Sequence, residues 1–388
     1  MHEERKMILK MIEDGKISAE EGLQLLNALR DDKDEPSNKK PNQEKRGPHG
    51  NESFDDQEQT KRKETDHYLS RNVNWDGGGY RRAEEKMTTF ASRFSEFVEE
   101  AVHKIKEFDL DFNFGSSVEV EHIFQHKGAV VKDVDIHVEN GSVTFLPWDE
   151  DDIRIKCQVK VYKVRDTDEA RRVFLDDVHF SCSNEKVRME AKKKSMKVNT
   201  VVYVPKQYLE KIKLYAFNGK VTGENVTVKT MEAKTVNGRV DFQTISADHV
   251  QLETVNGTIS VSHLASTQTD VKTVNGTVSV QSSKGDLDVE TLNGTIHYTL
   301  VKQANARAYM KTTTGSVNVR VPDNVKTEGE LKTTVGGIQC DLPKLTIIDE
   351  KKDFASKKMS FLANKQEEAH FYLEAEATTG TIAVKTST

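Results

Sequence analysis

Five segments of the chain pass through the same dipeptide: Phe217-Asn218-Gly219-Lys220-Val221, Val236-Asn237-Gly238-Arg239-Val240, Val255-Asn256-Gly257-Thr258-Ile259, Val274-Asn275-Gly276-Thr277-Val278 and Leu292-Asn293-Gly294-Thr295-Ile296. The glycines recur about every 19 residues. Weaker copies follow at Thr314-Gly315, Val335-Gly336 and Thr379-Gly380, and Asn140-Gly141 precedes them. Such a period means that one small unit is repeated and that each copy buries its apolar side against its neighbours. Asn-Gly favours a tight turn because Asn tolerates, and Gly readily adopts, positive φ. Two architectures use such a turn. Either each copy closes an antiparallel hairpin, or each is the same corner of successive coils in a parallel β-solenoid, with equivalent residues about 4.8 Å apart.

The residues around the turn favour stacking. Five positions before the glycine stand Ala233, Leu252, Val271, Val289 and Met310, and two after it Val221, Val240, Ile259, Val278 and Ile296, which together predict a continuous core. On the opposite face stand Lys234, Glu253, Lys272, Glu290 and Lys311, alternating in sign from copy to copy. Stacked coils make these side chains nearest neighbours of opposite charge, which separate hairpins do not. Thr235, Thr254, Thr273 and Thr291 share a register that predicts a ladder of hydroxyls. The expected fold is therefore mainly β: a parallel, β-helix-like solenoid over residues 116–388, with the repeats clearest at 215–340.

The chain ahead of it is organised differently. Residues 1–30 predict a helical hairpin, broken at Asp14-Gly15-Lys16 and restarted by a capping box at Ser18 and Glu21. Its apolar positions Met7, Ile8, Met11, Ile12, Ile17, Leu25, Leu26 and Leu29 are too few to hold so small a unit alone, so they are candidate partner-docking residues. Residues 31–79 are polar, charged and proline-bearing, the composition of a disordered linker. Residues 80–108 predict an amphipathic helix whose stripe is Phe90, Phe94, Phe97, Val98, Ala101, Val102 and Ile105, and whose polar face mixes both charges. That mixture favours packing on protein over lying in a membrane surface, which stays open as the alternative. Residues 166–175 interrupt the strand pattern as a short helix or a loop.

Little here suggests catalysis. Cys157, Cys182 and Cys340 are odd in number and widely spaced, so no metal or redox pair is expected. His122 and His126 read as alternating, solvent-facing strand residues, Asp149 to Asp152 as a solvated turn, and Lys192 to Lys194 as a hairpin tip. The acids Asp241, Asp248, Asp270, Asp286 and Asp288 fall at different phases of the coil rather than as the facing pair a glycosidase requires. No catalytic, cofactor-binding or metal-binding residue is nominated and no cofactor is expected. A formal net charge of −6, with both signs interspersed, argues against nucleic acid as a partner. The charged start Met1 to Lys10 lacks a signal-peptide core, and no apolar run is long enough to cross a bilayer, so the expectation is a cytoplasmic protein.

The segment from Glu4 through Ile8, Met11, Asp14-Gly15-Lys16-Ile17-Ser18 and Glu21 to Leu29, with Val204-Pro205-Lys206 and the Asn-Gly repeats, resembles the YvlB/LiaX family of Bacillota. The long β region resembles the bacterial adhesin-like domain. The resemblance implies a role in the cell-envelope stress response, with hairpin and β domain as separate interaction modules and no enzyme activity. The partners it implies are proteins, including membrane or envelope-stress proteins, with self-association and contact with a membrane surface through residues 80–108 also open. Localisation would then be cytoplasmic with membrane association, or at the cell surface by a non-standard route. The alternatives are a surface adhesin or glycan-binding solenoid and, least favoured, a carbohydrate-active β-helix enzyme.

Overall fold

The computed structural model describes residues 94–104, 116–128, 130–353 and 356–387. The expected hairpin at 1–30, with its eight candidate docking residues, and the linker at 31–79 lie outside them, as does most of the helix expected at 80–108. Helical residues 94–104 form α1. Strands β1 (Ser117–Lys127), β2 (Asp133–Asn140), β3 (Val143–Trp148) and β4 (Asp152–Tyr162) precede helix α2 (Thr167–Asp177). Next come β5 (His179–Ser183), β6 (Lys186–Ala191), β7 (Met196–Pro205), β8 (Leu209–Asn218), β9 (Val221–Gly223) and β10 (Val226–Asn237). The centre holds β11 (Val240–Asn256), β12 (Ile259–Asn275), β13 (Val278–Ser282), β14 (Gly285–Asn293) and β15 (Ile296–Leu300). The last described strands are β16 (Ala306–Thr314), β17 (Val317–Val321), β18 (Lys326–Val335), β19 (Ile338–Asp341), β20 (Thr346–Lys352), β21 (Lys357–Ala363), β22 (His370–Thr379) and β23 (Ile382–Thr386).

These strands stack as coils with two faces. Face 1, which leads into the Asn-Gly corner, runs β6–β2–β8–β10–β11–β12–β14–β16–β22–β18 in parallel register. Face 2, which leaves the corner, runs β7–β3–β9–β11–β12–β13–β15–β17–β23–β19, also parallel. Strands β11 and β12 bend through the second corner unbroken and belong to both faces. Antiparallel strands close the ends: β5 on β6, β1 on β4 on β7, and β20 on β21 on β18. Between the faces lies one continuous core, in which Phe145, Phe242, Tyr298 and Phe371 are fully buried.

The solenoid is thus as expected, but its corner works by another mechanism. The five repeat asparagines have ordinary φ, and among the repeat glycines only Gly141, Gly315 and Gly380 have positive φ. Glycine is demanded instead by the neighbouring coil. A Cβ on Gly219, Gly238, Gly257, Gly276 or Gly294 would collide with the carbonyl oxygen of the preceding corner glycine. The asparagines stack, with Asn237 donating to Asn218 (2.8 Å), Asn256 to Asn237 (3.0 Å), Asn275 to Asn256 (2.9 Å) and Asn293 to Asn275 (3.0 Å). Nor do the threonine hydroxyls bond one another. Thr235, Thr254, Thr273 and Thr291 each donate to the glycine carbonyl of the coil before, at 2.7 to 3.3 Å, which satisfies a buried acceptor.

The alternating charges do stack as the sequence predicts: Lys234 faces Glu253, Glu253 faces Lys272, Lys272 faces Glu290 and Glu290 faces Lys311. Coil order, however, departs from chain order at both ends. The β2/β3 coil sits between β6/β7 and β8/β9, and the last strands β22/β23 insert between β16/β17 and β18/β19. Insertion places Glu376 between Lys311 (3.9 Å) and Lys332 (3.1 Å), two lysines that sequential stacking would have made neighbours.

Local details also differ from the sequence expectation. Residues 166–175 prove helical: α2 is capped by Asp166, whose side chain accepts from the Glu169 N–H, and buries Ala170 and Phe174. Lys192 to Lys194 occupy the corner joining β6 to β7, two strands on different faces, rather than a hairpin tip. His122 packs on Phe124 and Phe174 rather than facing solvent. Within the acidic run, Asp149 pairs with Lys206 at 2.8 Å and Asp152 is buried.

Corner packing makes a matched test. Gly257→Ala forces a methyl into the Gly238 carbonyl and should cost at least about 2 kcal/mol in urea unfolding, as core overpacking does. Gly337→Ala, whose added Cβ has nothing nearer than 3.8 Å, should cost well under half of that.

Candidate functional site

The outer surface of face 1 carries parallel rows, one residue per coil. Nearest the corner is an apolar row, Phe217, Val236, Val255, Val274 and Leu292, and beside it lies the row of alternating charges. An apolar row on an outer face needs a cover, and α1 supplies one for its first part. Phe97 and Ala101 cluster with Phe217, Val236 and Val255, with Phe94, Val98, Tyr215 and Val274 at the margin. The row then runs out from under the cover, and Leu292 is 46% exposed.

One ion pair fixes the last described turn of α1. Lys104 Nζ lies 3.2 Å from Glu139 Oε1, over the rings of Tyr215 and Phe217, and is also bridged by Glu100 at 3.3 Å. Glu139 holds the place in the apolar row that Phe217 and the valines fill in later coils, and is buried. Burial pushes its carboxyl up, but the hydrogen bond from His137 (2.9 Å) and the Lys104 charge outweigh that and hold it below the usual carboxylate range. Burial likewise disfavours the Lys104 cation, yet Tyr215 and Glu139 hold its pKa above the ordinary lysine value. Sequence reasoning missed this clamp. The available signal was an acid, Glu139, at the one position of the row where later repeats are apolar.

Deeper along the same face, two acids that the sequence assigned to different phases stand side by side: Asp270 and Asp288 are register partners on β12 and β14. Burial, and after it the nearby Glu290 charge, pushes the Asp288 carboxyl up to about 7. A raised acid beside a second carboxylate is a glycosidase ingredient. Neither residue lines the clefts of about 660, 480 and 320 Å³ found on the described surface. Asp241, Asp248 and Asp286 do not join the pair, and Asp286 bridges Arg307 at 3.8 Å. Burial pushes the Cys157 and Cys340 thiols up to about 12, which withholds the thiolate a nucleophile needs. Among the described residues, no group of three or more His, Cys, Asp or Glu could hold a metal ion, and no helix is long and apolar enough to cross a membrane.

Stacked coils with a glycine corner and an apolar flank define a β-solenoid-like repeat protein, and comparison with known proteins places it more closely. The pattern of the Toastrack DUF4097 family matches residues 131–385, and that of a SHOCT-like domain matches residues 3–34. Over 389 residues, covering 100% of both chains, the sequence is 39% identical to "Uncharacterized protein YvlB" of Bacillus subtilis (strain 168). The chain belongs to the Toastrack DUF4097 family. Neither that family nor that relative carries an enzyme's name. Solved structures similar to it include a "putative adhesin" from Bacteroides fragilis NCTC 9343, at 10% identity and TM-score 0.39, covering 68% of this chain and 97% of that one. Another is a "putative adhesin" from Parabacteroides distasonis ATCC 8503, at 13% identity and TM-score 0.39, covering 69% and 97%.

Two outcomes follow from these environments. The folded-state pKa of Asp288 lies above its unfolded value, so the folded chain takes up a proton there, and stability falls as pH rises from about 4 to 7. Asp288→Asn should therefore raise the melting temperature at pH 8 and leave it nearly unchanged at pH 4. Glu139 has the opposite sign: its depressed pKa stabilises the clamp above about pH 4.5 and that contribution is lost as pH falls further. The protection factors of the residue 94–104 amides, which take out the intrinsic pH dependence of exchange, should fall on acidification, and Lys104→Ala should lower them likewise at pH 7 with little change in the melting of the solenoid.

Proposed function

We propose that the chain is a non-catalytic interaction scaffold of the bacterial cell-envelope stress response. The observation that carries this reading is the separation of modules along the chain. A SHOCT-like segment at residues 3–34, where the eight docking residues fall, is joined through a polar stretch to a Toastrack domain stiffened by stacked corners. The first module offers Met7, Ile8, Met11, Ile12, Ile17, Leu25, Leu26 and Leu29 to a protein partner. The second holds its shape while α1 sits on its flank through a few apolar contacts and one ion pair. A helix seated on an outer face in this way is one that a competing protein helix or a membrane surface can displace. The envelope-stress assignment rests on the resemblance to the YvlB/LiaX family; the full-length match to "Uncharacterized protein YvlB" of Bacillus subtilis supports the membership and carries no role of its own.

The test is a pull-down from envelope-stressed cells with the full chain and with a chain lacking residues 1–30. Capture of a membrane or envelope-stress protein by the first and not by the second is the expected result. If neither retains protein while the β domain retains cell-wall glycan, the adhesin reading takes its place.

A further inference from the structure

Face 2 carries a different surface. Where the antiparallel strands β1, β4 and β7 join the parallel stack, its outer side is concave, with a cleft of about 660 Å³. Lys156, Lys197 and Lys220 line it, together with Gln158, Asn199, Asn218 and the hydroxyls of Ser142 and Thr144. Glu121 is the only carboxylate among the lining residues.

The cleft's ion pairing differs from that of face 1. On face 1 the lysines of the stacked rows are matched: Lys213, Lys234, Lys272, Lys311 and Lys332 each bridge a glutamate. Among the described residues no carboxylate lies within ion-pair distance of Lys156, Lys197 or Lys220. Register makes the imbalance sharper. Lys197 on β7 stands directly opposite Lys160 on β4, a like-charge antiparallel pair that destabilises the sheet when nothing compensates it. Lys160 reaches Glu119 only at 4.0 Å. Lys156 lies over the ring of Tyr203, 5.2 Å from its centroid, which fixes a cation at the cleft wall without neutralising it.

The uncharged groups are already positioned. Asn199 Oδ1 accepts from both the N–H (3.2 Å) and the hydroxyl (3.1 Å) of Ser142, so its amide NH2 remains as a donor. Thr144 and Thr222 hydroxyls meet at 3.0 Å. Lysines act as point charges for phosphate, and amide and hydroxyl groups match the hydroxyls of a polyol.

We propose that this cleft binds a soluble polyol phosphodiester, with Lys156, Lys197 and Lys220 on its phosphates and Asn199, Gln158 and Ser142 on its hydroxyls. The site is independent of the hairpin and of the α1 flank, so its failure leaves the scaffold reading untouched, and the reverse holds too.

The test uses the full chain in calorimetric titrations with a glycerol-phosphate oligomer, inorganic phosphate, glycerol, and vesicles of phosphatidylglycerol or phosphatidylcholine. The oligomer should bind, phosphate more weakly, and glycerol not at all. Lys156→Ala and Lys220→Ala should each weaken oligomer binding about tenfold, as loss of one charged contact does. Lys197→Ala should weaken it similarly while holding or raising the melting temperature, because it relieves the repulsion with Lys160; a loss of binding there is then not a loss of fold. Lys311→Ala, on the other face, should bind as the unaltered chain does. Absence of oligomer binding overturns the proposal, as does equal weakening by Lys311→Ala. Binding to phosphatidylglycerol vesicles alone overturns it in favour of a membrane surface.

Discussion

Everything in the solenoid depends on how closely the coils approach at their shared corner. At that corner the backbone of one glycine lies against the carbonyl of the next, so no side chain fits, and each coil is locked in register with its neighbours. The asparagine amides and threonine hydroxyls then use the polar groups that such close packing removes from water. Once the corners are aligned, the rest of each coil has no freedom to slip. Inward positions must be apolar or, like Thr235 and Thr254, have their hydroxyl satisfied, and outward positions must match their neighbours one strand away.

That alignment turns the outer surface into rows, and the rows carry the differences between regions. On face 1 the charges alternate, and the inserted β22 keeps the alternation where sequential stacking would have broken it, by placing Glu376 between Lys311 and Lys332. Exposed ion pairs add little each, but a row of like charges would repel at every step, so the alternation matters more for what it avoids. On face 2, beside β4 and β7, the same rigid spacing sets lysines together without carboxylates. One scaffold therefore presents a neutralised flank, partly covered by α1, and an uncompensated basic cleft.

The helix on the flank shows how stability and accessibility trade against each other. The core beneath it is continuous, and α1 rests on the flank: among the described residues its contacts include two buried side chains, a margin of partly buried ones, and Lys104 on Glu139. Ionisation of Glu139 is held in place by His137 and Lys104, so the helix is tied down by charge as much as by burial. An element held in this way opens at a smaller cost than the coils it covers.

The sequence by itself determined the repeat, its two-faced core and the pairing of Lys234, Glu253, Lys272 and Glu290, because strict periodicity in a stacked fold makes residues one period apart into spatial neighbours. It also identified the stripe of Phe94, Phe97, Val98 and Ala101, since helical spacing is local. Positive φ was the wrong reason for the corner glycines, because the constraint comes from a backbone 19 residues away and not from the turn itself. Only the tertiary structure decided the order of coils at the two ends. At the C-terminal end the corners at Gly315, Gly336 and Gly380 lack the asparagine that marks register, and at the other end Asn140-Gly141 has it but lies far outside the 19-residue period from Asn218, so the chain pattern does not say which coil lies on which. The Lys104–Glu139 clamp and the convergence of Lys156, Lys197 and Lys220 were likewise settled by the tertiary structure, whereas Asp270 and Asp288 stand one period apart, each six residues before its corner glycine, so the repeat already recorded their meeting. The clamp and the basic cleft join residues from different elements, and no local period records those contacts.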